Sequence, residues 1–128
     1  MWYQQESEDI QISVRPLYCR TDSSPKENLY VWTYDVVIRN NGQETVQLLN
    51  RFWRIVDAGN QTQEVHGPGV IGERPIIEPG CEYTYTSFTH LPTSYGKMVG
   101  HYEMISSEGR SFKVDIPEFD LQLPVRLV

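Results

Sequence analysis

The stretch His66-Gly67-Pro68-Gly69-Val70-Ile71-Gly72-Glu73-Arg74 holds the spacing with the most chemical promise. Gly67, Gly69 and Gly72 stand in the G-x-G-x-x-G pattern of loops that cradle pyrophosphate. Such a loop needs a strand before it and a helix after it, because the helix N-terminus supplies the positive pole. A strand over 62–66 is plausible. A helix after it is not, since Pro75 and Pro79 follow closely and an interior proline costs a helix roughly 3 kcal/mol. Pro68 also removes one amide donor, and no Lys-Ser or Lys-Thr completes a Walker pattern. A nest of backbone amides without a helix remains open, with His66 and Arg74 as flanking charges. The weightier reading is a long turn whose glycines take positive φ or allow close packing. A loop that binds a protein is the third.

Other constellations are weaker. In Arg51-Phe52-Trp53-Arg54, a tryptophan flanked by cations has the make-up to stack a base or hold a peptide; a sandwich-strand tryptophan is more often core. His66, His90 and His101 have no metal-ligand spacing with one another, with Cys or with carboxylates, so no metal is expected. A group of His101, Glu103 and His90 is conceivable, with solvent-facing histidines the stronger alternative. No G-x-S-x-G elbow is present. Cys81 follows Pro79-Gly80 at the start of a strand, and its parity predicts a buried, inert thiol. No catalytic residue and no cofactor are expected.

Composition narrows the partners. The net charge is −6 with a pI near 5.0, and Lys and Arg form no run, which speaks against nucleic acid. No apolar run is long enough to span a bilayer as a helix. The start, MWYQQESEDI, lacks the basic and apolar parts of a signal peptide, so a cytoplasmic protein with two reduced thiols, Cys19 and Cys81, is expected.

The elements that must position these residues are strands. The chain has 128 residues, enough for one domain over 1–128 with a core that needs no staples. Ile10, Ile12 and Val14 alternate with polar residues. Tyr30, Trp32, Tyr34, Val36 and Ile38 share one face of the clearest strand. Asn40-Asn41-Gly42-Gln43 predicts a type I′ hairpin that pairs this strand with the next. The next strand, from Thr45 to Ala58, changes apolar parity midway, which predicts a β-bulge near Leu49-Asn50. Met98, Tyr102 and Met104 point inward from one later strand; Phe112, Val114 and Ile116 do so from another. The tail from Glu118 is apolar enough to pack. About seven antiparallel strands and no amphipathic helix give an all-β sandwich.

Five segments, RFWRIVDA, EVHGPGVIGERPIIEPG, EYTYTS, GKMVGHYEM and FKVDIPEF, resemble the ApaG family in this order. The resemblance runs from about Ile10 to Pro124. It implies an immunoglobulin or fibronectin type III-like sandwich and a bacterial cytosolic protein. It also implies links to a diadenosine tetraphosphate hydrolase, to cobalt resistance and to magnesium efflux. Related domains in an F-box adaptor and in a DNA polymerase δ-interacting protein imply a protein-interaction module. The family's glycine motif falls on His66, Gly67, Gly69 and Gly72. The chain departs from many relatives after the YTS element, at Phe88-Thr89-His90.

Two functional expectations follow. One is a non-enzymatic module that binds another protein, as a monomer or weak homo-oligomer, through the 67–72 loop, the 91–96 loop or an open sheet edge. The other is a sensor of a small phosphate anion at His66, Gly67, Gly69, Gly72 and Arg74, with or without a bridging metal.

Overall fold

A computed structural model of the chain describes residues 1–124. Nine strands form two antiparallel sheets. They are β1 (Tyr3–Ser7), β2 (Ile10–Tyr18), β3 (Tyr30–Asn40), β4 (Val46–Asp57), β5 (Thr62–Pro68), β6 (Ile76–Ile77), β7 (Glu82–Leu91), β8 (Gly96–Ser106) and β9 (Ser111–Leu121). One sheet has the order β1-β2-β3-β7. The other has the order β5-β4-β8-β9, with β6 on the same strand, β4. The expected all-β sandwich is therefore what the chain forms. It has more strands than the expected seven because β1 and the two-residue β6 are too short to show in a period-2 pattern. Among the described residues the one helical element is a 3-10 turn, Pro25–Glu27. No helix among the described residues is long and apolar enough to cross a membrane.

The alternation places the core. Ile10, Ile12 and Val14 of β2 and Trp32, Tyr34, Val36 and Ile38 of β3 are buried from one sheet. Met98, Tyr102 and Met104 of β8 and Val114 and Ile116 of β9 meet them from the other, as the pattern predicts. Aromatic rings key the layers together: Tyr34 of one sheet meets Trp53 of the other at 5.5 Å between ring centroids, and Phe119 at 5.8 Å. Pro16 sits in β2 opposite Tyr34, beyond Val14, where the pairing with β1 ends. A missing N–H is harmless on that side. In β9, Met98 pairs with Phe119 but Gly100 pairs with Ile116, so Pro117 and Glu118 bulge. The inward parity then moves to Phe119 and Leu121, both buried. The tail packs through these two; residues 125–128 lie outside the described part.

The bulge expected near Leu49-Asn50 is present. Leu48 pairs with Met104 and Asn50 with Glu103, leaving Leu49 as the extra residue. Before it, Val46 and Leu48 face the core; after it, Trp53 and Ile55 do.

The expected hairpin at 40–43 is not formed. β3 pairs with β2 and β7, whereas β4 belongs to the other sheet. The segment is a corner between layers, and Asn40 makes it. Its side chain, 1% exposed, donates to the carbonyls of Glu44 (2.8 Å) and Ile77 (3.0 Å) and accepts from the Gly42 amide at 2.9 Å. Asn41-Gly42 thus follows a side-chain clamp and takes no positive φ; paired positive φ values appear instead at Glu8-Asp9, 53° and 61°, and at Ile71-Gly72, 48° and 75°. Asn40→Ala leaves these backbone groups unpaired in the interior and is expected to cost about 2–4 kcal/mol. Urea unfolding measures it; a loss under 1 kcal/mol on the same scale shows that the corner does not depend on the clamp.

Candidate functional site

The glycine segment is a blister in a strand. β5 runs along β4 from Val56 to Asn50, and β6 resumes along Gln47 and Val46. Residues between them loop out opposite the Leu49 bulge. The Gly69 amide donates to the Leu49 carbonyl at 2.8 Å, and the Leu48 amide to the Pro75 carbonyl at 3.0 Å. At the tip, Val70 and Glu73 exchange amide-to-carbonyl bonds of 2.8 and 3.0 Å around Ile71-Gly72. The amides of Val70 and Glu73 are therefore consumed inside the loop, that of Gly69 is consumed by β4, and Pro68 has none. The arrangement supports a closed turn better than a phosphate cradle.

The flanking side chains are likewise engaged. Arg74 Nε donates to the Leu49 carbonyl at 3.1 Å, and Arg74's own carbonyl accepts from Gln47. His66 points to the outer face of its sheet and packs on Phe52 at 4.5 Å, with His101 on the far side of the same ring at 5.0 Å. A shallow cavity of about 500 Å³ opens there beside Asn50, Pro68 and Glu103. Burial and the nearby Lys113 charge hold His101 below its ordinary pKa. His90, which the sequence allows beside His101 and Glu103, sits on β7 in the opposite sheet. Among the described residues no three His, Cys, Asp or Glu side chains form a metal-binding group.

The three residues of the Arg51, Trp53, Arg54 surface do not form one surface. The Leu49 bulge turns odd positions of β4 inward, so Trp53 is 3% exposed and belongs to the core. Arg54 faces solvent and pairs with Glu64 at 3.7 Å. Arg51 lies between the sheets. Its Nη1 donates to the carbonyls of Pro68 (3.1 Å) and Gly69 (3.0 Å). A Cβ at Gly67 would stand 2.8 Å from that nitrogen, so the glycine clears the space for the guanidinium.

Arg51 is the residue whose setting the sequence conceals. It lines a cleft of about 320 Å³ with Tyr34, Trp53, Val65, Ser87 and Phe88. The two sheets close on one side, where β1 and β2 pack on β9. The cleft lies on the other, where β5 and β7 are the edges. Behind it the Tyr85 and Tyr102 hydroxyls share a hydrogen bond. Burial pushes the phenols of Tyr34, Tyr85 and Tyr102 upward, and Arg51 only partly offsets this. They stay neutral, so Arg51 finds no counter-charge among them.

Cys81 departs from expectation: it is exposed, outside β7, in the turn made by Gly80 at φ 81°. Its parity was that of Tyr83 and Tyr85, but the facing sheet does not extend far enough to cover it. Cys19 is also a free thiol. It lies in the polar loop after β2, where its Sγ donates to Asp22 at 3.1 Å.

Comparison with known proteins settles the relationship. A family model for the ApaG domain matches residues 20–106. The chain belongs to the ApaG family. It is 51% identical to Protein ApaG of Paramagnetospirillum magneticum and 47% identical to that of Brucella suis, each over 95% of this chain and 94% of the relative. A crystal structure from Bordetella pertussis, described as an ApaA protein, superposes with a TM-score of 0.89 at 40% identity. That match covers 91% of this chain and 94% of the other. An Archaeoglobus fulgidus protein shares the fold at 10% identity, with a TM-score of 0.51.

The family's glycines have separable duties here. At Gly69, φ is 58° and a Cβ would stand 1.9 Å from the Glu73 carbonyl oxygen; at Gly72, φ is 75° with open space around it. Gly72→Ala is expected to cost about 1–2 kcal/mol, the left-handed strain alone. Gly69→Ala must also displace backbone, and its cost is expected to exceed 3 kcal/mol, at the level of a disrupted network. Chemical denaturation of the two variants checks the order; equal costs remove the Glu73 contact as the reason for Gly69.

Proposed function

We propose that this chain is a non-enzymatic, cytoplasmic interaction module that binds a partner protein by accepting an extended segment along β7. The observation that carries this reading is the contrast among the sheet edges. An exposed edge invites pairing, and proteins protect edges with short strands, charges, prolines and bulges. β1 is five residues long. β5 carries Glu64 and ends in Pro68. β9 carries Lys113, Asp115, Glu118 and a bulge at Pro117. β7 runs ten residues as Glu-Tyr-Thr-Tyr-Thr-Ser-Phe-Thr-His-Leu, with one carboxylate at its first position, no lysine and no proline. Its tyrosines, threonines and phenylalanine are strand formers.

An anchor stands beside that edge. Phe88 is 68% exposed on the outer face of the sheet. Cross-strand register sets it next to Thr33 and then the exposed Leu17. A depression of about 390 Å³ with Leu29 and Val31 adjoins it. Main-chain pairing along β7 would supply affinity and this apolar ground selectivity, the division of labour in strand addition. The cobalt resistance and magnesium efflux tied to the ApaG resemblance are then read as regulation exerted through the partner. The phosphate-sensor alternative is less well supported, because the amides of Gly69, Val70 and Glu73 are already engaged and Pro68 has none.

Phe88→Lys places a guard on β7 without touching the core. Its thermal midpoint is expected to stay within about 2 °C of the parent, as for surface changes generally. In-cell proximity labelling with the two forms, followed by binding of each recovered partner to purified protein, tests the reading. A partner whose Kd weakens at least about tenfold, the loss of one interface anchor, supports it. Partners that bind both forms alike overturn it.

A further inference from the structure

Arg15, Arg39, Arg54, Lys97 and Arg110 each approach a carboxylate within 4 Å across the surface of this protein. Arg51 differs from them: like Arg20, Lys26, Arg74 and Lys113 it has no carboxylate within 4 Å among the described residues, and it is held between the sheets. It is also half-buried, where an uncompensated charge is costly. Two carbonyls pin one end of the guanidinium, leaving Nε and Nη2 without a hydrogen-bond partner among the described residues. Arg51 also borders the outer-face cavity that Glu103 lines, but none of the residues that line the cleft between the sheets is acidic, in a chain with 17 Asp and Glu. The site is thus a fixed cation in a cleft whose walls include the apolar Trp53, Val65 and Met98 and the uncharged polar Gln63, Ser87 and Thr89.

The cleft lies directly under the place where a strand would add to β7. Strands in a sheet stand about 4.8 Å apart, so the added segment continues the four-stranded sheet over the open side of the sandwich. Residues paired across strands point to the same face. Ser87 faces the cleft, opposite Tyr34 in the register. The partner residue opposite Ser87 therefore points down toward Arg51. We infer that the cleft is a specificity pocket for an extended peptide that carries an acidic side chain at this position. Its inward neighbours two residues either way are small or apolar. The carboxylate meets the free edge of the guanidinium in charge-assisted hydrogen bonds.

This inference rests on the β7 reading, and the test separates the two. The probe is a displayed library of random twelve-residue peptides selected against the intact protein. Binders are expected to share one Asp or Glu within an alternating pattern. Changing that residue to Gln or Asn is expected to weaken binding at least about tenfold, as for the truncation of one member of a desolvated charge pair. The same change should matter less than about twofold on Arg51→Gln, because the coupling is gone. The peptide swap leaves the protein unaltered, so the test survives even if Arg51→Gln does not fold. Ser87→Lys, which guards the edge from within, should abolish binding by all of them. Binders that need an open Ser87 edge but show no acidic preference overturn the inference and leave strand addition standing. Binders indifferent to Ser87→Lys, or a library that yields none, overturn both. Saturable NMR shifts of Arg51 Nε–H by sodium butyrate, with no peptide bound, assign the cleft to a free small carboxylate and overturn the peptide inference.

Discussion

The extra residue in β4 is the constraint on which most of the structure depends. A strand has a side-chain period of two, so one inserted residue exchanges the faces of everything after it. Because Leu49 is inserted, Val46 and Leu48 face the core at one end while Trp53 and Ile55 face it at the other. The same exchange sends Phe52 outward between His66 and His101 and brings Arg51 between the sheets. It also frees the Leu49 carbonyl to accept from Gly69 and Arg74, which anchors the glycine hairpin on the opposite side. The bulge, the blister and the buried arginine are one device. Removing the bulge would drive Trp53 into solvent and Phe52 into a space already filled.

Where the physics is local, the fold is legible from residues. Alternation in β2, β3 and β8 assigns the inward faces, and the broken alternation in β4 assigns the bulge. Pairing between strands is a different matter. Asn40-Asn41-Gly42 has the composition of a tight hairpin, yet whether β3 folds back on itself depends on what else competes for its edges. β2 and β7 take both, and a buried asparagine side chain turns the chain into the other layer. Cys81 fails for a related reason: parity says which way a residue points, not whether the opposing sheet reaches that far.

The site was harder to read than the fold. The glycine spacing drew attention to its amides, but spacing carries no information on whether amides are free. Two of them close the loop on itself, and that of Gly69 ties it to β4. Arg51, in contrast, is conspicuous only in three dimensions. In the sequence it is one arginine near a tryptophan; in the fold it is a cation with no carboxylate partner among the described residues, held still by two carbonyls and a missing Cβ at Gly67. The signal that was available was the bulge itself, since a correct parity after Leu49 puts Arg51 on the core face, where an arginine requires a reason.

That reason bears on the shape of the sandwich. A closed sandwich would bring β5 and β7 together and bury Arg51 against the tyrosines, which burial keeps neutral. The charge would then lie in low dielectric with no counter-ion, a penalty of several kcal/mol that a marginally stable domain is poorly placed to absorb. Leaving the side open keeps the guanidinium partly hydrated and leaves β7 without a neighbour. An uncapped cation and an unguarded edge on the same side of the molecule are consequently not two independent oddities. Each accounts for the other, and both are relieved by the same event, the arrival of an extended chain that brings a carboxylate with it.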